Sequence, residues 1–195
     1  MIRKNRRRSK GQRGVAALEA ALILPVAVFL IFGCVELYQY FRVAALLDRV
    51  AFSVANGVSM QRELFDRNNC TQSNDICVYG NIAQDLFQPL DYAANGGLVI
   101  SVYAATEPDA DNKVTWEQEP AWPPKEFNGA SSAVADTSAF PPAQPGDTLI
   151  VAEAFYKYTP FAMSSTFWTN LGGTSSMYSR FLFRPRFDDL LEPPS

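Results

Sequence analysis

The chain has 195 residues, 48% of them hydrophobic and 19% charged, with 17 Lys and Arg against 20 Asp and Glu for a formal net charge of −3. This length and apolar content exclude a long disordered protein and allow one modest globular domain with an appended segment. Histidine is absent, which removes Ser-His-Asp and Cys-His nucleophiles, HExxH metalloproteases and His-ligated zinc, copper or haem.

The near-neutral total hides a division along the chain. Seven basic residues (Arg3, Lys4, Arg6, Arg7, Arg8, Lys10 and Arg13) and no acid precede Gly14, leaving 10 basic against 20 acidic residues beyond it. Bulk charge therefore gives no support for a nucleic-acid partner. Residues 1–14 read as a basic leader. After it, Val15 to Val35 form the 21-residue run VAALEAALILPVAVFLIFGCV, whose one charged member is Glu19. About 20 apolar residues cross a bilayer, so residues 15–35 are predicted to be a transmembrane helix in contact with membrane lipid. The positive charges before it keep the N-terminus in the cytoplasm and send the rest of the chain across the membrane. A secretory signal peptide has a shorter apolar core, of about 7–15 residues, that ends in a small-residue cleavage site.

A carboxylate within a membrane span costs about 2.5–3.5 kcal/mol on insertion scales unless it is compensated. Two readings of Glu19 stand: it snorkels to the cytoplasmic interface, or it meets a specific partner. The pattern around it bears on the choice, because Gly14 ends the leader, Val15 opens the apolar run and Glu19 is the fifth residue after the glycine. GVAALE at Gly14–Glu19 resembles the cleavage motif of type IV prepilins. The stretch RGVAALEAALILPVAVFLIFGCVELY, with Arg13-Gly14, Glu19, Pro25, Gly33 and Glu36, resembles the N-terminus of TadE-like minor pseudopilins of the tight-adherence (Flp/Tad) pilus. The likeness covers roughly the first third of the chain, and Ala20 stands where family members usually carry an aromatic residue. The resemblance implies cleavage between Gly14 and Val15 by a prepilin peptidase. It also implies an assembly role for Glu19 against the new α-amino group of a neighbouring subunit. Opposite charges brought together at low dielectric attract strongly, and each relieves the other's uncompensated cost.

Pro25 removes one backbone hydrogen bond from the apolar run, and a bend near Ile23–Leu24 is expected. Ile31-Phe32-Gly33-Cys34 loosely resembles a lipobox, which gives an alternative in which Cys34 is acylated and the chain is a lipoprotein. That alternative leaves Glu19 unexplained inside the apolar core. Otherwise Cys34 is an unpaired apolar residue in the membrane.

From Glu36 to about Asp66 there is no proline, and Val43, Leu46, Leu47, Val50, Val54 and Val58 recur at the spacing of one helix face. Residues 36–66 are therefore predicted to continue the membrane helix as an amphipathic one, from Val15 to about Asp66, with Tyr38 and Tyr40 at the membrane interface. The apolar stripe is assigned to packing against the domain that follows, in preference to a coiled-coil or cofactor role.

Residues 67–195 are predicted to form the exported head. Its first part, 67–97, is polar and loop-like, with a short helix at Asn81–Phe87 ended by Pro89. Cys70 and Cys77 lie in this part on the oxidising side, and a disulfide between them is expected. Alternation marks strands at Leu98–Ala104, Val114–Glu117, Thr148–Tyr158 and Met177–Arg184. Between Glu119 and Gly146 six prolines (Pro120, Pro123, Pro124, Pro141, Pro142 and Pro145) mark a long loop. Trp116, Trp122 and Phe127 near it either form a recognition surface or cover the sheet edge, and the second reading is preferred. Asp109-Ala110-Asp111-Asn112-Lys113 puts a lysine where a calcium loop needs its next oxygen ligand, so it reads as a polar turn. Glu192–Ser195 reads as a frayed tail.

The fold expected is α+β and pilin-like: a long N-terminal helix, transmembrane and then amphipathic, packed on a small antiparallel sheet. No GxSxG, GxxxxGK[ST], GxGxxG or CxxC motif occurs, so no enzyme activity, cofactor or metal is expected. The function expected is that of a pilin-like minor subunit, a pseudopilin that takes part in assembling or priming a tight-adherence type IV pilus. It would sit in the bacterial inner membrane with its head periplasmic, or in the extracellular pilus. Partners implied by the resemblance are other pilin or pseudopilin subunits, a prepilin peptidase and an inner-membrane assembly platform. Two alternatives from other classes are an unprocessed single-pass anchor with a binding or sensing head, and a membrane-tethered enzyme.

Overall fold

The periodic apolar stripe of residues 43–58 belongs to helix α1, Gly11–Ser59. In the computed structural model, which describes residues 11–65, 70–109, 111–159 and 175–187, the chain divides into two compact units, Met1–Phe41 and Arg42–Ser195. The basic residues Arg3 to Lys10 and the tail Glu192–Ser195 lie outside the described residues. α1 contributes to both units and runs through Pro25. In the first unit every described side chain from residue 14 to 35 is exposed.

The second unit contains the last turns of α1, then α2 (Cys77–Phe87), the short α3 (Tyr92–Asn95) and five strands. These are β1 (Gly96–Ala105), β2 (Trp116–Gln118), β3 (Lys125–Phe127), β4 (Thr148–Tyr158) and β5 (Ser175–Phe183). All pairings are antiparallel; the sheet order is β2-β1-β4-β5, with β3 pairing the other end of β1. The class is α+β, a long N-terminal helix followed by a small antiparallel sheet.

Two-residue periodicity in the strands meets 3.6-residue periodicity in the helix to build the core. Val43, Leu47, Val50, Val54 and Val58 of α1 are buried with Leu98, Ile100 and Val102 of β1 and Ile150, Ala152 and Ala154 of β4. Burying each such aliphatic side chain is worth about 1.5–3 kcal/mol, so this stripe fixes the end of α1 to the sheet. α2 adds Tyr79, Ala83 and Phe87 to the same core. A Cβ at Gly57 would lie 2.9 Å from the Tyr79 ring, so a glycine there lets α2 approach α1 closely. At the edge, Phe52 meets Phe181 and Phe183 of β5 edge-on at 5.6 and 5.4 Å.

The opposite sheet face is also covered. Tyr103, Trp116, Phe140, Leu149 and Val151 form a second, smaller cluster beneath the segment between β3 and β4. β1 and β4 are consequently buried on both faces, and their sequences read as nearly continuous apolar runs for that reason.

Several boundaries differ from the sequence reading. α1 ends at Ser59, not near Asp66, because the chain turns there: the Met60 and Gln61 amides donate to the carbonyls of Gly57 and Val58. α2 begins at Cys77, four residues before the predicted helix. The sheet has five strands instead of four, the additional one being β3, and β2 is displaced to Trp116–Gln118. Trp116 and Trp122 are buried and Phe127 packs half-buried against the main core, so these rings cover the sheet.

Candidate membrane and assembly segment

Gly14 lies on α1, and nothing stands within 4 Å of where a Cβ would be. Val15 is 58% exposed, and Glu19 is exposed one turn later. Leu18, Leu22, Ile23, Phe29 and Ile31, pointing in all directions around the helix, are exposed as well. A soluble amphipathic helix hides one stripe; a helix apolar all round requires an apolar environment on every side. α1 is the one helix among the described residues that is long and apolar enough to cross a membrane. Cys34 is a free, exposed thiol on this segment.

The character of α1 changes past Phe41. Val43 is 1% exposed, and from there the stripe through Val58 is buried. Residues 14–56 match the family model described as TadE-like protein. This segment is similar to that family. The match takes in Gly14, Val15, Glu19 and Cys34 together with the buried stripe through Val54, and ends before the disulfide and the sheet. No curated protein and no solved structure matches the chain. Its apolar helix is compatible with a single-pass membrane anchor.

Cys70 and Cys77 form a disulfide with their Cα atoms 5.5 Å apart, in the unit that begins at Arg42. Buried Asp75 organises the loop they close: its Oδ2 accepts the amides of Thr71 and Gln72 at 3.0 and 2.9 Å. The parallel bridge between Phe65 and Asp75 ties this loop to the chain leaving α1. Among the described residues no group of three or more His, Cys, Asp or Glu is placed to hold a metal.

One residue of consequence escapes sequence reasoning. Glu153, in the middle of β4, is completely buried. Its carboxylate accepts the Ser132 hydroxyl at 2.5 Å, the Ala133 amide at 3.1 Å and the Tyr178 hydroxyl at 2.8 Å. Arg180 stands opposite it in register on β5, with its guanidinium 5.4 Å from the centre of the Phe140 ring. Burial raises the Tyr178 hydroxyl above the ordinary tyrosine range, the hydrogen bond to Glu153 and that carboxylate's charge add to the shift, and Arg180 opposes it. Tyr178 is therefore held as a donor. In the sequence Glu153 looks like a solvent-facing strand residue, and the one available signal is that it interrupts the otherwise apolar run LIVAEAF at residues 149–155.

Proposed function

We propose that the chain is a pilin-like minor subunit that takes part in assembling or priming a tight-adherence pilus. In this reading a prepilin peptidase removes residues 1–14 after Gly14. Residues 15–35 then anchor the subunit in the inner membrane, and the chain from 36 onward continues into a periplasmic head. The observation that carries the proposal is the all-round apolar exposure of residues 15–35, interrupted by one carboxylate, within the TadE-like match. An apolar surface of that kind has to be covered by lipid or by neighbouring helices of the same kind.

Cleavage before Val15 gives Glu19 a role. It leaves an α-ammonium at the start of the helix, where the positive end of the helix dipole disfavours a cation. A carboxylate one turn along favours that helix end, and in an assembly it reaches the ammonium of the adjacent subunit. Removing the leader also takes away seven positive charges; they orient insertion and leave an acidic subunit.

The test is in-cell crosslinking followed by purification of the chain from envelopes and from sheared pili. Recovery in complexes with pilin subunits, with pilus assembly lost when the gene is deleted, supports the proposal. Recovery as a free membrane protein in cells that assemble pili normally without it overturns the proposal and favours an unprocessed anchor.

A further inference from the structure

The segment from Asn128 to Asp147 crosses the sheet face opposite α1 without forming any helix or strand. It is bracketed by left-handed backbone at both ends: Asn128 and Gly129 at φ 56° and 69°, and Gly146 at φ 82°. A Cβ at Gly129 or at Gly146 would meet nothing within 4 Å, so the glycines there meet a backbone requirement and not a packing one. Between these ends the segment contributes one buried side chain, Phe140, and half-buried Ala130, Ser132, Val134, Thr137 and Ala143.

What holds the segment down is a small set of polar fastenings. At one end Glu153 receives Ser132 and Ala133. At the other, the Trp116 indole N–H donates to the Pro141 carbonyl at 2.7 Å, the Thr137 hydroxyl donates to the Trp116 carbonyl at 3.1 Å, and Arg184 pairs with Asp147 at 3.0 Å. Phe140 lies edge-on to Tyr103 at 5.1 Å.

Glu153 is an unusual choice for the middle of a two-faced strand. A buried carboxylate is costly to desolvate, and a well-packed apolar residue at such a position is often neutral or stabilising. Most of its hydrogen-bonding capacity is directed at the crossing segment and at Tyr178, not at the sheet backbone. Sub-global opening is expected where buried apolar contacts are few and hydrogen bonds are confined to a loop. We propose that residues 128–147 form a strap that opens as one unit about Gly129 and Gly146, with Glu153 as its catch, uncovering the apolar sheet face formed by Tyr103, Leu149 and Val151. The charged and titratable groups around the catch are Tyr103 on β1, Tyr178 and Arg180 on β5, and Asp136 on the strap.

The experiment is hydrogen exchange read by NMR on the full chain in detergent micelles, comparing wild type with Glu153→Gln and Ser132→Ala. The Trp116 indole N–H donates from β2 to the Pro141 carbonyl of the strap, a bond that opening of the strap breaks and that does not involve Glu153. Losing a hydrogen bond to a buried charge should speed exchange of this indole proton about ten-fold or more, with the backbone amides of β1 and β4 unchanged. Unchanged indole exchange in both variants overturns the proposal. So does loss of protection in strap, β1 and β4 together, which would make the strap part of the global unit. Should Glu153→Gln fail to fold, Ser132→Ala carries the same comparison with the carboxylate intact.

Discussion

Asp48 of α1 and Ser179 of β5, 131 positions apart in the chain, are joined by a hydrogen bond of 2.7 Å from the serine hydroxyl to the carboxylate. One turn further along the helix Phe52 meets the rings of Phe181 and Phe183, and one turn beyond that Asn56 accepts a hydrogen bond from Arg186 at 3.1 Å. The last turns of α1 are thus fastened to the last described strand as well as to the centre of the sheet. Ser179→Ala should cost about 1 kcal/mol, since Asp48 is exposed and can turn to water. That corresponds to a fall of about 2–4 °C in the melting temperature of the head, measurable by circular dichroism.

The two parts of α1 should respond in opposite ways to truncation. Leu47 is 1% exposed and Leu22 is 74% exposed. Leu47→Ala should destabilise the head by about 2–5 kcal/mol, whereas Leu22→Ala should leave its unfolding within about 0.5 kcal/mol of wild type. Chemical denaturation followed by tryptophan fluorescence measures both, because Trp116 and Trp122 are buried in the head.

Replacing Cys70 and Cys77 with serine opens a short ring whose closure is worth on the order of 2–3 kcal/mol in the chain-entropy model. The expected result is a lower melting temperature for the double variant, matched by wild type in reductant and not lowered further when reductant is added to the variant. Asp75→Ala removes the acceptor for the Thr71 and Gln72 amides and should loosen the same loop with the disulfide present.

Alkaline pH should unfold the head. Burial is the largest cause of raised tyrosine ionisation at Tyr79, Tyr92, Tyr103, Tyr156 and Tyr178. An unfolded tyrosine ionises near pH 10, so above that pH the native state holds more protons than the unfolded state and stability falls as pH rises. Below it these groups add no pH dependence. Melting temperatures taken between pH 8 and pH 11 should be level and then decline, and Tyr178→Phe should make the decline shallower.

Much of this architecture is legible in the residues because it rests on periodicity. Val43, Leu47, Val50, Val54 and Val58 are all buried, as their helical spacing implies, and the alternation at Leu98–Ala104 and Thr148–Tyr158 marks the two central strands. What periodicity cannot register is structure made by distant partners. β3 is three residues long, too short to display a period, and exists because Lys125–Phe127 pairs with Leu98–Ile100. α2 starts at Cys77 after Ile76, with no side-chain cap hydrogen bond to mark its beginning in the sequence. Glu153 is hidden for the same reason: its partners Ser132 and Ala133 lie in a segment with no repeating pattern, and only the fold brings them over β4.

Within the assembly, Glu19→Gln should separate processing from docking. In the proposed reading cleavage acts at the backbone of Gly14, whereas pairing with a neighbouring ammonium needs the carboxylate charge, so the variant should be cut normally and fail to enter pilus complexes. Immunoblots of cell envelopes for mature length, alongside crosslinked assemblies, read the two steps separately. Unchanged entry into complexes would assign Glu19 to the membrane interface instead.

The most direct measurement is the intact mass, with N-terminal sequencing, of the protein isolated from cells that carry the cognate prepilin peptidase. A mature chain that begins at Val15 and comprises residues 15–195, replaced by the full-length chain when the peptidase is deleted, is the expected result. A chain that retains Met1 and the basic leader in the presence of active peptidase would contradict the account.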